Sequence, residues 1–354
     1  MTKTISIAGR KIGPEYPPYV ICELSGNHNG SLDRMLALVD AAADTGCDAI
    51  KIQSYTPDTI TIDHDGPGFN ISGGLWDGYT LHDLYKEAHT PFEWHEAIFA
   101  RAKARGVTLF SSPFDESSAD LLHSLGAPAY KIASFEAIDL PLIDHVARKG
   151  KPMIISTGLA NLGEIEAAVS TARKAGCEEL MLLHCISSYP APSAESNLRT
   201  ISHLGEAFDV VPGLSDHTLG TATSVAAVAL GASVIEKHFT LARADGGPDA
   251  DFSLEPDEFA RLCSDCHDAW ISLGQVSYRQ SSAEESNSQF RRSLYVVEDI
   301  PAGAPLTRDN IRSIRPGYGL PPKHLPQVLG RQTVRTLKRG TPLDWDMISK
   351  HDGS

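Results

Sequence analysis

The sequence predicts a (β/α)8 barrel over residues 1–280, a linker over 281–290 and a small β-rich module over 291–354. Three features carry that expectation. Eight short apolar runs alternate with longer helical patterns from Tyr19 to about Gly274, as repeated strand–helix units of a parallel barrel do. Two histidines, His217 and His238, each follow one of these runs and stand 21 residues apart. That spacing suits one strand–helix–strand step, and it is too long for one metal-binding helix. Near the end of the chain, Ile300-Pro-Ala-Gly303-Ala-Pro305-Leu306 echoes Leu337-Lys-Arg-Gly340-Thr-Pro342-Leu343 at a constant offset of 37. Two like halves imply a small pseudo-symmetric module.

The expected strands are Tyr19–Leu24, Ala49–Gln53, Thr108–Ser111, Ala129–Ala133, Met153–Ser156, Leu180–His184, Val210–Leu214 and Val234–Glu236. Each is brief and apolar, as strands covered on both faces are. The first helix, Ser31–Thr45, is apolar at Leu32, Met35, Leu36, Leu38, Val39 and Ala42, a helical recurrence. Pro91–Arg105, Ser117–Leu125, Leu140–Arg148 and Leu162–Ala175 read as helices in the same way. A doubly wound open sheet is the competing architecture, but no Gly-x-Gly-x-x-Gly turn follows the first strand. The stretch Thr56–Glu87, rich in Gly, Asp and aromatics, is too long for an ordinary βα loop and is expected to cover the active face. Ser281–Gln289 is polar and reads as a flexible linker.

A formal net charge of −14 over 354 residues argues against nucleic-acid or anionic-membrane partners. It leaves a phosphorylated ligand open, because a few local cations outweigh a distant net charge. Met1–Arg10 is polar, and no apolar run approaches the ~20 residues of a membrane span. A cytoplasmic protein with reduced cysteines is the expectation. Cys263-Ser-Asp-Cys266-His267 matches a haem-attachment string, but Phe259, Leu262, Cys266 and Trp270 recur at helical spacing, so the match is coincidental.

The chemistry of a barrel gathers where its strands end. Those ends hold Glu23, Lys51 and Gln53, then Ser112 and Phe114, then Lys131, Ser134 and Glu136. They continue with Ser156, Ser187 and Tyr189, and finish with Ser215, His217, Glu236 and His238. Lys51 and Lys131 alternate with apolar neighbours, so both should point into the barrel mouth. Buried lysines call for an anionic ligand or an acidic partner, for instance Glu136 beside Lys131. Imidazoles suit Zn, Mn or Fe, and two of them with open positions would make a catalytic centre rather than a structural one. The bland alternative is two unrelated, satisfied histidines.

The strings ELSGNHNGSLDRML, DAIKIQSYTPDTITID, FSSPFD, YKIASFE, HCISSYPAP, GLSDHTLG, VIEKHFTL and DGGPDADFSLEP together resemble the sialic acid synthase family. The C-terminal module is similar to the antifreeze-like (SAF) domain found at that family's C-terminus. ELSGNHNG, GLWDG…TLHDLYKEAHTP and FRRSLYVVEDI look most like its pseudaminic acid synthase branch. Neuraminate synthases more often carry Asn in the sixth-strand loop, where this chain has Ser187.

The resemblance implies an aldol-type condensation of phosphoenolpyruvate with an open-chain acetamido sugar, with release of phosphate. For the pseudaminate branch the sugar is a 2,4-diacetamido-2,4,6-trideoxy-altrose. It implies that Lys51, Gln53, Ser112, Lys131, Ser134, Ser156, Ser187 and Ser215 bind phosphoenolpyruvate. His217 and His238 would hold Mn²⁺ or Mg²⁺. Glu23, Tyr189 and Asp249 would meet the sugar, with Phe114 beside the substrates and Glu136 next to the reacting carbons. Arg315 matches a tail arginine that reaches the sugar in the partner subunit's site, so a tail-swapped homodimer is expected. The rival readings are a neuraminate or legionaminate synthase and a non-catalytic carbohydrate-binding protein of the same fold.

Overall fold

A computed structural model describes residues 3–350. It divides into two compact units, Met1–Gly274 and Gln275–Ser354. The first unit opens with a hairpin of β1 (Ile5–Ile7) and β2 (Arg10–Ile12). Eight parallel strands follow and close into a barrel. They are β3 (Tyr19–Glu23), β4 (Ala49–Ser54), β5 (Thr108–Pro113), β6 (Tyr130–Ile132), β7 (Met153–Ser156), β8 (Leu180–Cys185), β9 (Val211–Asp216) and β10 (Val234–His238). Every neighbour in sequence is a neighbour in the barrel, and β10 pairs with β3 to shut it. All eight expected strands are present. Several run further than their apolar stretch: β10 continues through Glu236, Lys237 and His238, because His238 still pairs in register with Glu23. Polar residues there end the hydrophobic pattern but not the hydrogen-bond ladder.

Alternation along the strands sorts side chains to two sides. Val20, Cys22, Ile50 and Ile52 face the helices, whereas Ile21, Phe110, Ile154 and Met181 fill the barrel interior. Ile5, Ile7 and Ile12 of the hairpin join that inner cluster, all three buried. The hairpin therefore plugs the barrel. Three-residue strands in a polar setting leave too little pattern to be read from sequence. Gly213 on β9 belongs to the crowded interior, since a Cβ there would lie 2.5 Å from the Val234 carbonyl oxygen and 2.6 Å from Leu183 Cδ2. Any side chain at that position must push two strands apart.

The helices begin at caps. Ser31 accepts from the Arg34 N–H ahead of helix Leu32–Asp44, and Asp115 accepts from Ser118 ahead of Glu116–Ser124. Asn161 and Glu164 form a capping box on Leu162–Lys174. Helix His95–Arg105 ends on Gly106 at φ 70°, a conformation glycine adopts without strain. Behind the histidines, Lys237 Nζ donates to Asp216 Oδ2 (2.8 Å) and to the Thr218 carbonyl (2.6 Å). Both charged side chains are 1% exposed. Lys237→Met should cost about 3–5 kcal/mol in thermal unfolding, because it strands the Asp216 carboxylate. The double variant Asp216→Leu/Lys237→Met should recover most of that loss.

The long insertion folds into helix Pro57–Ile60, a bridge between Asn70 and Thr80, and helix Leu81–Ala88. Among the described residues no helix is long and apolar enough to cross a membrane.

In the second unit, Ser281–Phe290 is not a structureless linker. It forms a 3-10 helix, Ser282–Phe290, capped by Ser281 with Glu284, although its residues are mostly exposed. Local caps supply the order that a missing core cannot. The tail pairs β11 (Ser293–Val296) with β12 (Ile311–Ile314) around a core that includes Leu294, Leu306, Leu337 and Leu343. The sequence repeat is written into its hydrogen bonds. Ile300 and Leu337, equivalent at the offset of 37, exchange N–H···O bonds of 2.8 Å in both directions. Gly303 N donates to Thr333 O, and its counterpart Gly340 N donates to Val296 O, both at 2.8 Å. A pseudo-two-fold axis therefore passes between Ile300 and Leu337.

Candidate active site

The inner row of the barrel changes from apolar to polar at the C-terminal strand ends. Register fixes who meets whom: Glu23 lies level with Lys51 on one side and His238 on the other. Glu236 lies level with Ser215. These side chains line one cavity of about 190 Å³.

At its floor stands a buried ring of two cations and two anions. Lys51 Nζ lies 2.8 Å from Glu23 Oε2 and 3.7 Å from Glu236 Oε1. Lys131 Nζ lies 3.3 Å from Glu236 Oε1. The carboxylate partner of Lys131 is thus Glu236, not Glu136 as the sequence invited, because the ladder brings β10 across the barrel mouth. Burial pushes Lys131 below the ordinary lysine range, with Glu236 opposing the shift and Lys51 adding to it. Burial also works against the ionised form of Glu236, but Lys131, Lys51 and the Ser215 hydroxyl outweigh it and hold the carboxyl low. Burial acts alike on Lys51, where Glu23 and Glu236 win and raise it. Two lysines balanced by two carboxylates leave this buried floor formally neutral.

Hydroxyls surround the ring. Lys51 Nζ donates to Ser112 Oγ at 3.2 Å, and Ser215 Oγ donates to Glu236 Oε1 at 3.0 Å. Ser134 and Ser187 share a hydrogen bond of 2.8 Å. Ser156 Oγ is buried with no partner among the described residues, an unspent group aimed into a polar cavity. Gln53 Nε2 donates to Glu23 Oε1 at 2.8 Å. Glu136 lines the cavity with Oε2 unpartnered among the described residues, and burial pushes its carboxyl up to about 7, with Lys131 opposing.

The two histidines meet as their spacing predicted, with ring centres 5.3 Å apart. His217 Nδ1 donates to the Ile186 carbonyl oxygen at 3.0 Å, which orients the ring and leaves Nε2 without a hydrogen bond among the described residues. His238 Nδ1 is buried and unpartnered among the described residues, 3.8 Å from Asp249 Oδ2. Rings this close can share one ion at ~2.0–2.1 Å metal–nitrogen distances, so the donors fit a divalent cation. Among the described residues no three His, Cys, Asp or Glu form a complete ligand set, so the remaining positions would be left for water or substrate oxygens.

Tyr189 tilts against His217 at 4.5 Å between ring centres and against Trp76 at 5.7 Å. Phe114 packs edge-on against Tyr55 at 5.1 Å, and both line the cavity. Burial raises the Asp249 carboxyl, with Ser25 opposing.

Of the residues expected from sequence, Ser112 and Ser187 sit one bond behind the lining, on Lys51 and Ser134. Arg315 belongs to the second unit, exposed, with no ion pair among the described residues. The rest line one cavity. Sequence reasoning gave no role to Glu236, although the alternation used for Lys51 and Lys131 places Glu236 on the same side of its strand as His238, two residues later. It also passed over Cys185, whose Sγ lies 3.7 Å from His217 Nδ1, and Trp76, Tyr85 and Pro248, which loops far apart in sequence bring to the cavity.

The NeuB family model matches residues 38–278, and the SAF domain model matches 291–349. A pseudaminic acid synthase of Campylobacter jejuni is 42% identical over 92% of this chain and 95% of its own length. An N,N'-diacetyllegionaminic acid synthase of the same organism is 36% identical over 90% of this chain and 96% of its own. A crystal structure of N-acetylneuraminic acid synthetase from Leptospira borgpetersenii, in complex with citrate, superposes with a TM-score of 0.73 at 31% identity. That match covers 81% of this chain and 95% of the other. With the barrel, the polar cavity and both family models in agreement, the chain belongs to the NeuB family, as an enzyme of the transferase class that carries a SAF domain after its barrel.

Proposed function

We propose that this enzyme is a pseudaminic acid synthase, condensing phosphoenolpyruvate with 2,4-diacetamido-2,4,6-trideoxy-altrose to give pseudaminic acid and phosphate. The observation that carries the reading is one cavity holding two buried lysines among serine hydroxyls together with two imidazoles beside Asp249. Lysines and hydroxyls are the groups that bind a phosphate dianion, and the unspent Ser156 hydroxyl supports that use. Walls supplied by Ile60, Trp76, Leu84 and Tyr85 of the insertion are apolar and aromatic. They favour a trideoxy sugar, which has fewer hydroxyls to satisfy, over a fully hydroxylated one. The higher identity to a pseudaminate than to a legionaminate synthase points the same way.

In this reading the carbon–carbon bond forms between phosphoenolpyruvate C3 and the sugar's aldehyde carbon, and the aldehyde oxygen takes up a proton to become a hydroxyl, balanced by the proton that water gives up on adding to C2. C2 is left cationic, water adds to it, and the tetrahedral intermediate expels phosphate. A divalent ion held by His217 and His238 would supply Lewis-acid polarisation of the aldehyde oxygen. Lys51 and Lys131 neutralise the phosphate, and Glu136 takes the proton from the attacking water. Glu23, which lines the same cavity beside Lys51, would meet the sugar.

The test is phosphate release from phosphoenolpyruvate and Mn²⁺ with a panel of acetamido sugars. The altrose derivative should turn over fastest; faster turnover of the legionaminate or neuraminate precursor would overturn the assignment. Lys51→Met and Lys131→Met should each weaken phosphoenolpyruvate binding at least about tenfold in calorimetry, the loss of a charge-assisted hydrogen bond of about 1.5–3 kcal/mol. An unchanged dissociation constant in both would refute the phosphate site.

Arg315 follows β12 in the sequence Arg-Pro-Gly, and its planar fork of donors suits an acetamido carbonyl. It acts, in this reading, in the partner's site of a homodimer. Mixing Arg315→Ala with Lys51→Ala protein should then restore part of the activity, because one site of each mixed dimer escapes both defects. If the arginine works in its own subunit, the mixture stays as poor as its parents.

A further inference from the structure

The ELSGNHNG stretch contributes only Glu23 to the cavity lining, yet the turn that follows is tied by side-chain hydrogen bonds to the 239–253 segment. Asn27 is fully buried, and its Nδ2 donates to the Phe239 carbonyl (2.8 Å) and to Ser253 Oγ (2.9 Å). Ser253 Oγ in turn donates to the Asp249 carbonyl at 2.6 Å. Asn29 sits at φ 50°, a region asparagine tolerates, and its Nδ2 donates to the Gly246 carbonyl at 3.1 Å. The two asparagines thus hold the segment on either side of Pro248 and Asp249.

Steric fit tightens the grip. A Cβ on Gly26 would lie 2.7 Å from Pro248 Cγ and 3.0 Å from Ala88 Cβ, at the end of the insertion. From the other side, Trp76 Nε1 donates to the Pro248 carbonyl at 2.8 Å. Pro248 is therefore held between the turn and the insertion, one residue before the carboxylate that stands 3.8 Å from His238.

We infer that the Ser25–Gly30 turn is a positioning element for the sugar end of the site: Gly26, Asn27 and Asn29 fix the Pro248–Asp249 wall and seat Trp76 against it. The inference rests on the proposed reading that Asp249 and Trp76 meet the acetamido sugar. Because the side-chain hydrogen bonds of Asn27 and Asn29 go to the 239–253 segment and not to the lysine–serine floor, the turn's effect is selective. Loosening it costs sugar affinity and leaves phosphoenolpyruvate affinity intact.

Gly26→Ala tests the steric contact, and Asn29→Gly removes the amide while keeping the positive φ available. Each should raise the sugar KM at least tenfold, leave the phosphoenolpyruvate dissociation constant within twofold, and speed amide hydrogen exchange over residues 243–253. Asn29→Asp, which keeps the backbone conformation but cannot donate, should behave like Asn29→Gly. Sugar KM within twofold of the parent in folded Gly26→Ala and Asn29→Gly proteins overturns the inference. So does an equal loss of affinity for both substrates, which would mark a merely structural turn. If the parent enzyme turns over none of the sugars, the proposed function fails, and the exchange measurement alone decides whether the turn holds the 243–253 segment. Unchanged exchange in Asn29→Gly would then overturn the positioning role too.

Discussion

Glu136→Gln is expected to lower kcat by about 10²–10⁴, the span of a lost general base. The expectation follows from where the carboxyl stands. It lines the cavity, one oxygen has no partner among the described residues, and burial lifts its pKa to about 7. A base poised near the working pH transfers protons well in both directions. Because the raised carboxyl is protonated at lower pH, kcat/KM of the parent should climb as pH rises toward about 7 and then level. In the Gln variant that limb should vanish. Stability gives a second readout with its own sign. A carboxyl raised in the folded state is most comfortable below its unfolded value near 4.5, and its contribution is lost as pH rises through about 7. Parent protein should therefore lose melting temperature relative to Glu136→Gln across that window. A variant that keeps the parent's kcat would remove Glu136 from the mechanism.

Chelation should abolish activity and added Mn²⁺ should restore it, and His238→Ala should be inactive with or without added ion. The physical ground is the pair of rings 5.3 Å apart, one oriented by the Ile186 carbonyl and the other with a buried, unpartnered nitrogen. Mn²⁺ binding followed by electron paramagnetic resonance separates binding from turnover. Wild-type protein should titrate one ion per chain, and His217→Ala and His238→Ala should each weaken that binding about 10–100-fold or more, since the loss of even an outer-shell partner costs that much. Full activity in the presence of excess chelator, with no bound ion by resonance, would remove the metal from the site. Substituting Lys237 instead should lower stability without removing a ligand, because it is bonded to Asp216 and Thr218 on the far side of the strands.

Much of this molecule follows from local pattern. Eight apolar runs alternating with amphipathic helices specify a parallel sheet covered by its connecting helices, and the eightfold count without a Gly-x-Gly-x-x-Gly turn favours the closed barrel over an open sheet. Strand ends then become a cavity by geometry, so that Lys51 and Lys131 could be aimed inward from alternation, and His217 and His238 placed at one sheet end from their spacing. The 37-residue echo likewise specified the tail's pseudo-symmetry, down to paired hydrogen bonds at equivalent residues. What sequence could not decide is which inward residues pair across the mouth. Lys131 meets Glu236 rather than Glu136 because barrel closure, a property of all eight strands together, sets the distance between β6 and β10. Tertiary contact alone also joins Trp76, Gly26 and Pro248, three loops with no periodicity to read. Sequence determines the faces of each element through a local repeat; only the closed fold, by fixing distances between residues far apart in the chain, decides which charges neutralise one another and which walls the substrate meets.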